Sequence, residues 1–424
     1  MRSGKNINPW AWVPTVYIFE GLPNAIVNTV SLMVFKNMGM PNDKLTLYTS
    51  LLSFPWILKI VLSPFVDTIG RKRSWAAAMQ VLMVVCTCVL GLTLPKCALS
   101  LILVLFLVTA FASSIHDIAA DGFYMLGLDE HTQSLFVGVR NTFFRLALLC
   151  GQGLLAIIAG VFQAHGHDAV LSWSWTLVGC SAVMALVALW DVLAMPRPAA
   201  DKPHKGADVA STVKDLGRLF VSFITKKEIV IAVVFMLLYR LPEAFSIKML
   251  IPFLKDAPEV GGLGMSDVHV GLANGTIGVI ALLLGGILGG LAGGKWGLKK
   301  CLLPMALSLA LPCVVYLYLA LAQPQGVLPV YLCIAVDQFG YGFGFTAYTL
   351  YMLYFSRGDY QTSHYAFCTV LMTFSMMLPG LVAGKIQMQI GYPAFFGMVM
   401  VCCLVTVAVT LIVRRKVDPE YGKK

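Results

Sequence analysis

Apolar runs of about 20 residues or more recur from one end of the chain to the other, separated by short breaks that carry most of the charge. A helix crossing a hydrocarbon core needs about 20 such residues. The pattern predicts twelve spans, at 11–35, 45–66, 74–94, 99–125, 135–162, 172–195, 229–253, 267–293, 301–321, 328–354, 362–388 and 392–413. The longest break, 196–228, divides them six and six. We therefore expect an all-α polytopic membrane protein: an N-terminal six-helix bundle over 1–195, a linker over 196–228, a C-terminal six-helix bundle over 229–413 and a tail over 414–424. In the linker, Val213, Leu216, Leu219, Phe220 and Phe223 recur at helical spacing with Lys214 and Arg218 between them. That spacing predicts an amphipathic helix along the cytoplasmic membrane surface.

Composition and charge agree with this layout. Of 424 residues, 58% are hydrophobic and 12% charged, against about 25% charged in a soluble domain. The net charge of +10 does not point to nucleic acid, because the basic residues sit in short clusters between spans. With both termini cytoplasmic, 21 of the 31 Lys and Arg fall on the cytoplasmic side, whereas Lys36, Lys44, Lys96 and Lys255 fall on the other. This is the positive-inside bias of a multi-pass protein, here expected in the inner (cytoplasmic) membrane. The 11 cysteines lie mostly inside apolar runs without ligand spacing, so no metal site is expected. The stretch from Trp12 to Phe35 contains Glu20, Pro23 and Asn24, and reads as a first span that is retained.

The remaining Lys and Arg and several acids lie within the spans, where they are costly and mark function. From Leu99 to Ala112 there is no charge; His116, Asp117 and Asp121 then follow. On a helix Asp117 and Asp121 share one face, a turn apart. Neighbouring carboxylates in a low-dielectric site resist being ionised together, so Asp117, Asp121, His116 and Glu20 are the candidates for proton handling. Asp121 has a second reading, as a brace at the cytoplasmic end of its helix. Arg145, Arg240, Arg140 and Lys248 are the cationic candidates for an anionic substrate; alternatively Arg145 neutralises Asp117 or Asp121, and Arg240 pairs with Glu243 or Glu20. Asn24, Asn28, Lys59, Asp337, Tyr341 and Tyr348 complete the candidate substrate contacts, and Lys59 also suits a pair with Glu20. Gly285, Gly286, Gly289, Gly290, Gly293 and Gly294 read as a small-residue packing seam and not as a phosphate loop. Nothing in the chain suggests ATP use or a catalytic triad. The expectation is a carrier, not an enzyme, driven by a proton gradient without a cofactor.

Both halves carry a tight, Gly-containing basic turn after their second span, Asp67-Thr68-Ile69-Gly70-Arg71-Lys72-Arg73 and Gly293-Gly294-Lys295-Trp296-Gly297-Leu298-Lys299-Lys300. Duplicated six-span halves of this kind resemble the major facilitator superfamily. The resemblance implies that Asp67, Arg71 and Arg73 form a conformational latch. Within that superfamily the chain resembles the muropeptide permease (AmpG) family. The likeness is carried by Glu20-Gly21-Leu22-Pro23, Ser63-Pro64-Phe65-Val66-Asp67, Asp117-Ile118-Ala119-Ala120-Asp121, Gly138-Val139-Arg140 with Arg145, Leu238-Tyr239-Arg240-Leu241-Pro242-Glu243, Pro252-Phe253-Leu254, and Gly380, Gly384 and Gly391-Tyr392-Pro393-Ala394-Phe395-Phe396. It implies import of anionic anhydro-muropeptides together with protons by a functional monomer, with membrane lipid as surroundings. The same fold also suits another sugar, a peptide or an acyl-coenzyme-like anion, or a receptor that binds without transport.

Overall fold

A computed structural model describes residues 7–68, 70–128, 130–199, 201, 209–357, 361–419 and 421. Among these residues the regular structure is helical, with no strand. Ten segments are long and apolar enough to cross a membrane: Pro9–Asn37, Asn42–Ser63, Lys72–Thr93, Leu99–Gly127, Thr142–Ala164, Ala169–Ala194, Ile229–Lys255, Asp267–Trp296, Leu298–Ala322 and His364–Arg414. The last contains two helices meeting at Gly391, whose φ of 75° is open to glycine and closed to most side chains. Leu328–Phe355 is a further helix of 28 residues, less apolar because it carries Asp337, Gln338 and five tyrosines. Twelve described spans thus follow the apolar pattern, and they are numbered first to twelfth below.

Their outer faces are made for lipid. On the sixth span Leu186, Trp190 and Leu193 recur along one stripe and are 69%, 51% and 70% exposed. A stripe of that kind is unfavourable against water. Helices satisfy their own backbone groups, so hydrocarbon can cover it without cost.

The chain forms two compact units, one from residues 1–38 and 52–214, the other from 39–51 and 215–424. In the first, Trp12, Tyr17, Phe123, Tyr124 and Phe136 make an aromatic core, with Trp12 edge-on to Phe123 at 5.1 Å. In the second, Phe235, Tyr239, Met305, Tyr348 and Tyr351 do the same. The linker helix Val209–Ile224 seats Phe223 in this second core and leaves Phe220, Val221 and Ile224 outside. The side chains of Val213 and Leu216 lie outside the described residues.

The eighth and tenth spans meet backbone to backbone. A Cβ on Gly285 would lie 2.1 Å from the Phe339 carbonyl oxygen, and one on Gly342 would lie 2.1 Å from that of Leu282. The glycine seam is therefore a packing surface, which brings the polar tenth span into the second unit.

Three breaks in the helices position polar groups. Pro23 lies inside the first span, and just after it the chain passes through a π-helical segment, Ile26–Val30, that carries Asn28. In the second span Pro55 cannot donate to the Leu51 carbonyl. The helix stops at Leu51, turns at Leu52 and Ser53, and resumes at Phe54. The chain passes from one unit to the other at this turn. In the seventh span Pro242 likewise withholds a donor from Leu238, and the helix divides into Ile229–Leu238 and Leu241–Lys255. Arg240, with φ −99° and ψ 14°, sits in the gap.

Candidate functional site

In the first unit the fourth span presents Asp117 and Asp121 to different partners. The Lys59 ammonium lies 3.7 Å from Asp117 Oδ2, and the Trp56 indole donates to the same oxygen at 3.1 Å. Both partners come from the segment of the second span that follows the Pro55 break. Asp117 is 6% exposed, and its Oδ1 has no partner. One turn on, Asp121 meets the Arg140 guanidinium at 3.1 Å and accepts the Tyr17 hydroxyl at 3.0 Å. Arg140 lies over the rings of Tyr17 and Tyr124, 4.8 and 5.2 Å from their centroids. Glu20, on the first span, lies within electrostatic reach of Asp117, Asp121, Lys59 and Arg140, and its Oε2 is buried without a partner.

Five charged groups are thereby gathered inside one membrane unit, three acids and two bases. Fully ionised, the cluster carries one uncompensated negative charge. In a medium of low dielectric that is expensive, and taking up one proton removes it.

The other candidates fall into place around this cluster. Among the described residues Arg145 is exposed and makes no ion pair; Lys59 and Arg140 serve the two aspartates instead. Asn28 donates to the Asn24 carbonyl and accepts the Ser53 hydroxyl at 3.2 Å, so the two asparagines brace the break in the second span. His116 is fully buried and faces Gln80, its Nε2 3.3 Å from Gln80 Nε2, with the Phe19 ring 5.7 Å away. Gln80 also donates to Asp191 at 2.8 Å, and Thr15 donates to the other oxygen of that carboxylate. Sequence reasoning missed Asp191 and Gln80. Their signal is a single acid and a single amide in otherwise apolar spans, each fully buried.

At the loop end of this unit Arg73 donates to the carbonyls of Val192 and Met195. The head of the third span is capped by Asp201, which accepts from the backbone N–H groups of Lys72 and Arg73 at 2.8 and 3.1 Å. Arg71, Arg73, Arg197 and Asp201 line a cavity of about 400 Å³ there. The Asp67 side chain lies outside the described residues.

In the second unit Arg240 and Glu243 form a two-bond pair at 2.8 and 2.7 Å, both nearly buried. The Tyr341 hydroxyl accepts from Arg240 at 3.1 Å, and the rings of Phe345, Tyr341 and Tyr348 surround the guanidinium at 4.8 to 5.9 Å. Tyr348 itself donates to the Met236 carbonyl at 2.7 Å, which ties it to the broken seventh span. Asp337 accepts from Tyr316 at 2.6 Å and from Gln338 at 3.1 Å. Lys248, two turns beyond Arg240, donates among the described residues only to the Thr49 carbonyl, at 3.4 Å.

Two units of membrane helices, with charges gathered inside and apolar faces outside, define a polytopic membrane carrier. The chain belongs to the Major Facilitator Superfamily, whose family model matches residues 15–363. It is 21% identical over 410 residues to "Putative transporter AmpG 4" of Rickettsia felis, an alignment covering 95% of each chain. It is 22% identical to the "Anhydromuropeptide permease" of Escherichia coli K12, over 89% of this chain and 74% of that one. Its fold is similar to that of the nucleoside transporter NupG, with a TM-score of 0.70 at 13% identity over 96% and 99% of the two chains. The protein is a multi-pass membrane transporter of this superfamily, and its curated relatives include putative transporters and a permease.

Proposed function

We propose that the protein imports anionic cell-wall fragments of the anhydro-muropeptide class together with protons, by alternating access of its two units. The observation that carries the proton half is the cluster of Glu20, Asp117, Asp121, Lys59 and Arg140, three acids against two bases. One proton neutralises it, and a change in how Lys59 reaches Asp117 shifts where that proton is held. The substrate half is supported by the name of the E. coli relative and by Arg240 among aromatic rings. A planar guanidinium suits carboxylates, and flat rings suit sugar faces. In this reading Arg145, exposed on the fifth span, is a second contact for the anion. The transporter sits in the inner membrane with both termini cytoplasmic, works as a monomer, and uses no cofactor beyond the proton gradient.

Uptake into proteoliposomes tests this. An inward-directed proton gradient is expected to accumulate labelled anhydro-muropeptide, and Asp117→Asn is expected to abolish accumulation while leaving exchange of substrate across the membrane. Uptake indifferent to the gradient overturns proton coupling. Accumulation of a different sugar, peptide or acyl-coenzyme-like anion, with none of muropeptide, overturns the cargo.

A further inference from the structure

Lys248 is the one candidate cation of the second unit that the described residues leave without a carboxylate. It is 7% exposed and lies midway along Leu241–Lys255, the second segment of the seventh span. The nearest acid along its own helix, Glu243, gives both oxygens to Arg240. The ammonium has three N–H groups, and its single acceptor is the Thr49 carbonyl at 3.4 Å, a long bond. An ammonium held in this way inside a membrane protein is costly without a counter-charge.

A second donor stands beside it. Ser50 is fully buried and its Oγ has no partner, although buried helical hydroxyls commonly return a bond to the carbonyl one turn back. Its neighbour Thr49 does so, to Leu45 at 2.8 Å. Ser50 and Lys248 converge on Gly380 of the eleventh span. A Cβ there would lie 2.2 Å from Ser50 Oγ and 3.1 to 3.2 Å from Lys248 Cγ and Cε. The missing side chain at 380 is what lets the Ser50 hydroxyl and the Lys248 stem lie against the same point. Four N–H and O–H donors around one weak acceptor are completed by a group that only accepts. An ionised carboxylate has two oxygens, about four acceptor sites and the charge that the ammonium lacks.

We propose that Lys248, with Ser50, is the binding site for a carboxylate of the transported substrate, and that this carboxylate takes the ammonium from the Thr49 carbonyl. Thr49 and Ser50 belong to the part of the second span that packs in the second unit, just before the turn where the chain crosses to the first. The site thus reads a carboxylate next to the break at Leu52 and Ser53. The inference rests on the reading of the substrate as an anionic muropeptide and deepens it.

The test is equilibrium binding to the full-length protein in lipid nanodiscs, with an anhydro-muropeptide bearing free peptide carboxylates and with the same compound amidated at those carboxylates. The unaltered protein is expected to prefer the free acid by roughly 10- to 100-fold, the range for a hydrogen bond to a charged group. Lys248→Met, which removes a charge from an apolar place and leaves its volume filled, is expected to bring the two affinities within about threefold. Lys248→Arg keeps most of the preference, and Ser50→Ala loses part of it. A Lys248→Met protein that retains the full preference overturns the proposal, as does an unaltered protein that binds both compounds alike. If Lys248→Met does not fold, Ser50→Ala decides: an unchanged preference overturns the site. Binding of neither compound to the unaltered protein instead overturns the muropeptide reading, and this inference with it.

Discussion

Replacing Glu243 by Gln strands the Arg240 guanidinium, and the cost can be worked from its surroundings. Both side chains are nearly buried, and they share two short bonds. Removing one partner of a buried ion pair costs about 3–5 kcal/mol, because the other charge stays desolvated. Two contacts soften the loss. The rings of Phe345, Tyr341 and Tyr348 remain around the guanidinium and contribute about 1 kcal/mol or somewhat more. The amide oxygen that the substitution introduces still accepts one bond, though a weaker one. The net expected loss is about 2–3 kcal/mol, a fall in melting temperature of roughly 5–10 °C for a unit of about 200 residues. Thermal unfolding of the solubilised protein reads it. The double substitution Arg240→Met with Glu243→Gln removes the stranded charge and is expected to recover most of the lost stability while failing to transport. That combination separates a stabilising pair from a substrate-reading one. A Glu243→Gln protein that melts within 1–2 °C of the unaltered one (about 1 kcal/mol or less on the same scale) refutes the reasoning, as does a double mutant that melts below the single.

Three further outcomes follow from the geometry. Gly285→Ala puts a methyl 2.1 Å from the Phe339 carbonyl oxygen and is expected to destabilise by about 2 kcal/mol or more, whereas Gly290→Ala, with nothing within 4 Å, is neutral; melting temperatures of the two compared side by side check this. Asp201→Ala removes the cap on the third span and is expected to cost about 1 kcal/mol, read as a shift in the unfolding midpoint. Asp191→Leu leaves the donors of Gln80 and Thr15 without their acceptor and is expected to cost about 1–3 kcal/mol, more than Asp191→Asn, which keeps one acceptor oxygen.

The spans were legible because a bilayer imposes one length on every element, and an apolar run of that length has few other uses. The charges within the spans were legible for the same reason: Asp117, Lys59 or Arg240 stands out against the residues around it. Partnership was not legible. Whether Asp121 meets Arg140 or Arg145 depends on how far the fifth helix is rotated about its axis, and a spacing of five residues leaves the choice open. The structure pairs Arg140 with the acid and leaves Arg145 exposed. Lys59 reaches Asp117 from the part of the second span that follows the Pro55 break. Pro55 itself is visible in the sequence, but the partner of Lys59 is not. Asp191 was overlooked because an acid three residues from the end of a span resembles an interfacial group; only the packing of Gln80 and Thr15 on it shows that it is enclosed. Asp201 was hidden for a different reason, since a cap donated from a distant linker leaves no local pattern.

The central claim is that the cluster of Glu20, Asp117, Asp121, Lys59 and Arg140 takes up and releases a proton with each transport cycle. Luminal pH in proteoliposomes carrying a trapped pH dye measures it directly, with no gradient imposed and anhydro-muropeptide added outside. The account predicts that substrate entry acidifies the lumen for the unaltered protein, and that Asp117→Asn abolishes the acidification. Substrate entry with no change in luminal pH would contradict it.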